Sequence, residues 1–512
     1  MPSNFSIIQD KDEPNNMSHS ISPTMDRLSS LLTAHLSQLP HALVPEVFQS
    51  SSPSTTAALK RHSDTAWLDG LRGVAALMVV LQHEQAMVYM GHAFCYHWPE
   101  QISPASWPIL RLAFSGGSFA VVVFFVISGY VVPRRLLRHL QENRQAEFIE
   151  ALNSAVIRRH GRLLMPSMLS ALFILFFYWI TGIEPNWSGG FAATFLAELW
   201  GWLKDCLQVL NYFTAFALYH NGVTWTIIIE LRGSMMLFGW LFTIHALRVQ
   251  WRILLTLVLS VGLALFSSYA SSYAAFFIGM MMSEIDLLHD SGEIDRIWLP
   301  WNPLLNYLQE RRIARTIVLH TTLVVALLLA SFPKLKYDLP PEVAVAQCSS
   351  WPSFLFNITP LQYWAKWRTS GIQDFWYFWA AWLLAMSIRE LRWAKKILES
   401  NFPQYLGRHS FSLYLTHLVV GSTFSRTILI LCGFGYHGGP KAKWPFNKFP
   451  VGAWSRPFTA MWGPIGFQPA VILDLALSLP VMFWVAEIGT RVLDRPSVKM
   501  SAWMWEKWKL MR

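Results

Sequence analysis

The sequence predicts an all-α polytopic membrane protein, with about ten transmembrane helices in one bundle. Three observations predict it. Of its 512 residues, 53% are hydrophobic and only 14% are charged. From about position 70 the apolar residues gather into runs long enough, at ~1.5 Å of rise per residue, to cross a hydrocarbon core ~30 Å thick. Many of the 26 tryptophans lie near the ends of these runs, where an interfacial belt would sit. Helices are the expected element because they satisfy their own backbone polar groups in lipid. A soluble multidomain chain is excluded.

The first 64 residues differ in composition. MPSNFSIIQDKDEPNNMSHSISPT and QSSSPSTTAALKR are rich in Ser, Thr, Pro and Asn and lack a sustained apolar period, which reads as a flexible cytoplasmic tail. Between them, MDRLSSLLTAHLSQL has the spacing of a short amphipathic helix. A charged start, an apolar core and a small-residue cleavage site do not occur in succession, so the first span is expected to be the insertion signal. Spans are expected near 70–90, 112–133, 163–183, 224–247, 252–269, 272–289, 315–332, 372–388, 410–432 and 467–491. The segment 190–217 carries Glu198, Lys204 and Asp205 and reads as an amphipathic surface helix, with an eleventh span as the alternative. The transmembrane domain is thus expected over 65–495, followed by a short basic cytoplasmic tail, 496–512.

Orientation follows from where Lys and Arg fall. With the amino terminus cytoplasmic, the inner loops and carboxyl tail hold 24 Lys and Arg and the outer loops hold 10. Both termini are therefore expected in the cytoplasm of a cell whose endomembrane or plasma membrane holds the chain. Much of the formal charge of +10 is a topology signal, and no nucleic-acid partner is required. The sequons at Asn186 and Asn357 fall in outer loops, where glycosylation is possible. Cys95, Cys206, Cys348 and Cys432 also lie in or beside outer loops, where disulfides are permitted; three pairings are open.

The chemistry is expected where ionisable groups enter the membrane, because each costs a few kcal/mol there. The first span, WLDGLRGVAALMVVLQHE, carries Arg72 near its start and His83 and Glu84 near the bilayer centre. Arg72 and His83 are eleven residues apart, about 20° past three full turns, so they share a helix face and lie ~16 Å apart along the axis. A guanidinium at the mouth suits a phosphate or pyrophosphate group, and an imidazole at the centre suits proton transfer. The plainer alternative is that Arg72 reaches lipid phosphate and His83 bonds a neighbouring helix. Glu84 is offset by ~100° from His83 and should face another helix. Glu230 and Arg232 diverge by ~200°, so different neighbours should satisfy them. Glu230 could orient His83, hold a substrate hydroxyl or lock helices together. His417 could share a cavity with His83 or bond Ser412 or Tyr414 locally. Ser128 and Gly129 should allow a close helix approach.

These residues fall within recognisable motifs. WLDGLRGVAALMVVLQH resembles the opening motif of the acyltransferase-3 family of membrane proteins, an Arg followed after ten residues by His on the first helix. FFVISGYVV (124–132) resembles that family's second-helix motif, and RHGRLLMP (159–166, preceded by Arg158) its Arg-x-x-Arg-Leu-x-x-Pro junction. TWTIIIELRGS (224–234) is similar to its Trp-Ser/Thr-x-x-x-Glu segment and LGRHSFSLYLTH (406–417) to its late His motif. The likeness covers roughly 65–495, with five motifs in order. It implies a ten-helix bundle that transfers an acyl group, commonly acetyl from acetyl-CoA, to a hydroxyl of a sugar, lipid or small natural product. It implies that His83 is the catalytic base, that Arg72 lies near the CoA entrance and that Arg159 and Arg162 bind CoA phosphates; with His83, Glu230 and His417 complete the expected catalytic set, and Arg72 joins Arg159 and Arg162 in the expected phosphate site. Acyl-CoA would be a co-substrate rather than a resident cofactor.

Other chemistries lack their marks. No Cys-x-x-Cys metal pairing, no Gly-x4-Gly-Lys-Ser/Thr phosphate loop and no Gly-x-Ser-x-Gly nucleophile turn occurs. The competing class is a transporter that uses intramembrane His, Glu and Arg, although no internal repeat is evident.

Overall fold

A computed structural model describes residues 64–88, 104–183, 192–211, 217–268, 270–335, 341–346, 348, 350–364, 369–434 and 469–511. These residues are overwhelmingly helical and include no β-strand. The long helices are α1 (Ala66–Val88), α2 (Gly117–Val131), α3 (Gln145–Thr181), α4 (Phe195–Val209), α5 (Trp225–Ile244), α6 (Val249–Phe266), α7 (Ser271–Asp290), α8 (Arg312–Ala330), α9 (Thr369–Glu390), α10 (Asn401–Val420), α11 (Pro469–Gly489) and α12 (Arg495–Lys509). Each of the ten expected spans coincides with one of them. Among the described residues, seven helical segments are long and apolar enough to cross a membrane: Gly117–Gln141, Gln145–Thr181, Gly222–Ile244, Val249–Phe266, Arg312–Ala330, Asn401–Leu431 and Pro469–Lys509. Helices α1, α7 and α9 have comparable lengths but more polar residues, and all three pack inside the bundle.

Close packing rests on small residues where helices meet. A Cβ added at Gly129 of α2 would lie 2.1 Å from the Phe276 carbonyl oxygen of α7, and one at Gly279 would lie 2.2 Å from the Val126 oxygen. Gly73 and Gly407 let α1 and α10 approach in the same way. Helix α1 packs most extensively on α10, with α2 on its other side. A buried ion pair, Arg252 Nε to Glu284 Oε1 at 2.8 Å, joins α6 to α7. Helix α8 touches chiefly α9 and exposes most of its length, as a lipid-facing helix would.

Three elements differ from the sequence reading in extent. Helix α3 runs 37 residues, starting well before the expected span at 163. Its amino-terminal half is polar, so an apolar window does not register it. The segment 190–217 contains the 15-residue helix α4, with Leu196, Trp200, Leu203 and Leu207 exposed along one stripe. That stripe is the amphipathic surface pattern. Residues 495–509, read from sequence as part of a tail, form α12, which packs on α3 where Ser501 Cβ would lie 3.0 Å from a Cβ at Gly161. π-helical turns at 421–425 and 490–494 join α10 and α11 to their continuations.

Cys206 and Cys432 are free and buried, and Cys348 is disulfide-bonded. Asn357 is exposed at the end of the short helix Ser350–Asn357. Asn186, Asn4, Asn16 and Cys95 lie outside the described residues.

Candidate active site

A cavity of about 430 Å³ opens between α1, α2, α3, α5, α10 and α12. Six arginines line it: Arg72, Arg135, Arg158, Arg159, Arg162 and Arg408. Three carboxylates, Asp69, Glu230 and Asp494, oppose them, so positive charge is in excess. Deeper in, the wall turns apolar through Val121, Phe124, Phe125 and Ile227 and ends at Thr226 and Tyr414. A cationic mouth on an apolar throat suits a ligand with an anionic head and a neutral arm.

The arginines are held in place by acceptors on other helices. Arg159 of α3 donates from Nη2 to Glu230 Oε1 of α5 at 2.6 Å and from Nε to Ser234 Oγ at 3.0 Å. Ser128 of α2 donates to the same Glu230 oxygen at 2.8 Å. Glu230 therefore orients Arg159 and joins three helices, and it lines the arginine cavity, which His83 does not. No hydrogen bond to Arg159 Nη1 is present among the described residues, so that group stays available to a ligand. Arg72 donates from Nη2 to the Gly407 carbonyl at 2.9 Å and pairs with Asp69 one turn earlier at 3.1 Å. Arg162 is exposed at the rim. Arg232 turns away and donates to the Asn211 carbonyl at 3.1 Å, as the helical offset predicts.

The histidines form a second group. His417 of α10 is fully buried, and its Nδ1 donates to the Tyr414 carbonyl at 2.9 Å. His83 of α1 donates from Nδ1 to the Val79 carbonyl at 2.8 Å. His417 Nε2 lies 3.4 Å from His83 Nδ1, with ring centroids 5.0 Å apart. A ring nitrogen that faces a carbonyl must carry the proton. Both Nδ1 atoms are thereby protonated, His417 Nε2 is an acceptor toward His83, and His83 Nε2 keeps its lone pair. That lone pair is what a general base needs. His83 is half-buried yet does not line the arginine cavity, so its exposed surface opens elsewhere.

Next to the pair, Glu84 is buried and accepts from Ser425 in the π-turn after α10. Ser425 also lies 2.6 Å from Asp474 Oδ1 of α11. The helical offset from His83 carries Glu84 to this contact.

The structure thus brings Arg72, Arg159, Arg162 and Glu230 together in one cavity and His83 and His417 together behind it. Sequence reading missed Arg135, Arg408 and Asp494 in the wall. Arg408 lies inside the LGRHSFSLYLTH motif, which was the available signal; Arg135 stands two residues after Pro133 and Asp494 two before Pro496, with nothing in their surroundings to single them out.

Fold and site together are those of a polytopic helical membrane protein in which an arginine-lined cavity adjoins a histidine pair. The chain belongs to the acyltransferase-3 family: residues 65–486 match its profile, described as an acyltransferase domain. It is 29% identical over 254 residues to the O-acetyltransferase PaAT-1 of Phomopsis amygdali, covering 44% of this chain and 49%, about half, of that relative. It is 26% identical over 423 residues to an acyltransferase (clz18) of Cochliobolus lunatus, covering 70% of this chain and 83% of the other. An acyltransferase of Phoma sp. is 25% identical over 415 residues, covering 71% and 84%. No solved structure matches.

Proposed function

We propose that this protein transfers an acyl group, most simply acetyl, from acyl-CoA to a hydroxyl of a small natural product, lipid or glycan. The observation that carries the reading is the His83–His417 pair, with an unprotonated Nε2 on His83, directly behind an arginine-lined cavity. The diphosphate and ribose phosphate of CoA meet Arg72, Arg159 and Arg162, and the pantetheine arm runs into the apolar throat. The printed name of the Phomopsis relative supports acetyl as the group transferred.

In the transfer step, His83 Nε2 takes the proton of the acceptor hydroxyl as the oxygen attacks the thioester carbonyl. The tetrahedral intermediate collapses with C–S cleavage, and the CoA thiolate recovers the proton from His83. The bond from His83 Nδ1 to the Val79 carbonyl, with His417 Nε2 3.4 Å from the same nitrogen, holds the ring in the orientation that leaves Nε2 free. The acceptor reaches His83 from outside the arginine cavity, which suits the exposed surface of that residue. The Lys and Arg distribution supports a donor site on the cytoplasmic side, with both termini there.

The test is CoA release and ester formation by the purified, detergent-solubilised chain given acetyl-CoA and a panel of hydroxylated acceptors. Wild type should release thiol, and a folded His83→Ala variant should fall by ~10²–10⁴-fold, the usual worth of a general base. Equal release by both would remove His83 from the chemistry.

A further inference from the structure

The arginine cavity does not reach the histidine pair. Its floor is the ring of Tyr414, three residues before His417 on α10, which is about one helical turn or ~4.5 Å of axial rise short of it. That ring is fixed from three directions. Its Oη accepts from Thr226 Oγ1 at 2.7 Å, in the first turn of α5, and donates to the carbonyl of Val223, in the 3-10 turn just before α5, at 3.2 Å. Phe124 of α2 packs against it in a T-shaped contact, centroids 6.0 Å apart at 76°. On the far side it meets the His417 ring at 5.9 Å, and its own carbonyl accepts the His417 Nδ1 proton. Tyr414, Phe124 and Thr226 all line the cavity, and neither His83 nor His417 does.

We propose that Tyr414 is the positioning residue that separates the donor cavity from the histidine pair and admits the thioester only when its ring swings off Thr226 and Val223. The inference rests on the acyl-transfer reading of the two compartments. While the ring is closed it keeps cavity water from the histidines, so a thioester held in the throat is not hydrolysed before the ring opens. When the pantetheine arm fills the throat, rotation of the ring about its Cα–Cβ bond opens the one-turn gap, wide enough for a short acyl group. The hydroxyl anchors to Thr226 and Val223 make closure the resting arrangement. Because the same residue supplies the carbonyl that fixes the His417 tautomer, ring motion leaves the backbone and the base orientation intact.

Two readouts test this, one of which needs no acyl donor. Purified full-length wild type, Tyr414→Phe and Tyr414→Ala are treated with diethyl pyrocarbonate, and histidine labelling is mapped by mass spectrometry. Exposed His289 serves as the internal reference for a folded chain. The buried His417 should label slowly in wild type, about twofold faster in Tyr414→Phe and at least fivefold faster in Tyr414→Ala. With acetyl-CoA, the ratio of acceptor-independent to acceptor-dependent CoA release should rise in the same order; general damage would lower both rates and leave the ratio unchanged. An unchanged His417 labelling rate in folded Tyr414→Ala overturns the barrier. A raised labelling rate with an unchanged release ratio overturns its role in partition. A wild type that releases no CoA while His417 labelling follows the expected order sinks the acyl-transfer reading and leaves the barrier standing.

Discussion

Arg159 and Glu230 form one contact that ties helices together and, on the proposed function, also holds a donor-binding guanidinium. They meet at 2.6 Å with side chains 12% and 19% exposed, so most of their hydration is gone. Removing one partner of such a pair leaves a poorly hydrated charge, at a cost of about 3 kcal/mol. Arg159→Ala should therefore lower the melting temperature and raise the KM for acyl-CoA together. Adding Glu230→Gln should restore most of the melting temperature while the KM stays raised by about tenfold, the effect of losing ~1.4 kcal/mol of charge-assisted bonding. If both parameters recover, Arg159 has no part in donor binding. Arg72, 36% exposed, should behave differently: Arg72→Ala should weaken acyl-CoA binding more than acceptor binding with little change in melting temperature. The pairing of Arg159 with Glu230 was not legible in the sequence, because 71 residues separate them and each has several chemically suitable partners. The facing of Arg72 and His83 was legible, since both lie on one helix whose geometry is fixed. The two compartments they occupy were not, because the Tyr414 barrier depends on contacts made by α5 and α2.

At the level of elements, the bundle depends on a few backbone approaches. Gly129→Ala would put a methyl 2.1 Å from the Phe276 carbonyl oxygen, and a helix backbone cannot swing aside as a side chain can. The α2–α7 contact must part, at a cost of about 1–3 kcal/mol. Gly239→Ala on α5 is the matched control, since nothing lies within 4 Å of the added Cβ. It should unfold at the same temperature or slightly higher, as alanine is the better helix former by about 1 kcal/mol. Similar melting temperatures for the two variants in one detergent would show that the α2–α7 approach contributes little. Spans were legible because lipid imposes a length and a composition on them. The polar half of α3 and the whole of α12 were not, because tertiary contacts hold them: Lys509 to Glu150 at 3.3 Å, and the close fit at Gly161. Their helicity lies outside the hydrocarbon rule.

For the molecule as a whole, the expected orientation puts Asn186 and Asn357 on the side that receives glycans. Substituting both by Gln should abolish any glycosidase-sensitive shift on a gel. A shift that persists through the amino-terminal sequons Asn4-Phe-Ser or Asn16-Met-Ser would invert the topology and send the donor cavity to the other face. The histidine pair has a consequence at this scale too. A proton collected at His83 Nε2 makes the ring a double donor, and its Nδ1 can pass a proton onward only to His417 Nε2. His417 is fully enclosed and its other nitrogen is already committed to the Tyr414 carbonyl, so the route ends there. The pair is a cul-de-sac: it can lend a proton and take it back, but it cannot conduct one from face to face. A pH-sensitive dye sealed inside proteoliposomes should stay flat while CoA accumulates in the medium, and acidification in step with turnover would mean that the chain moves ions as it works.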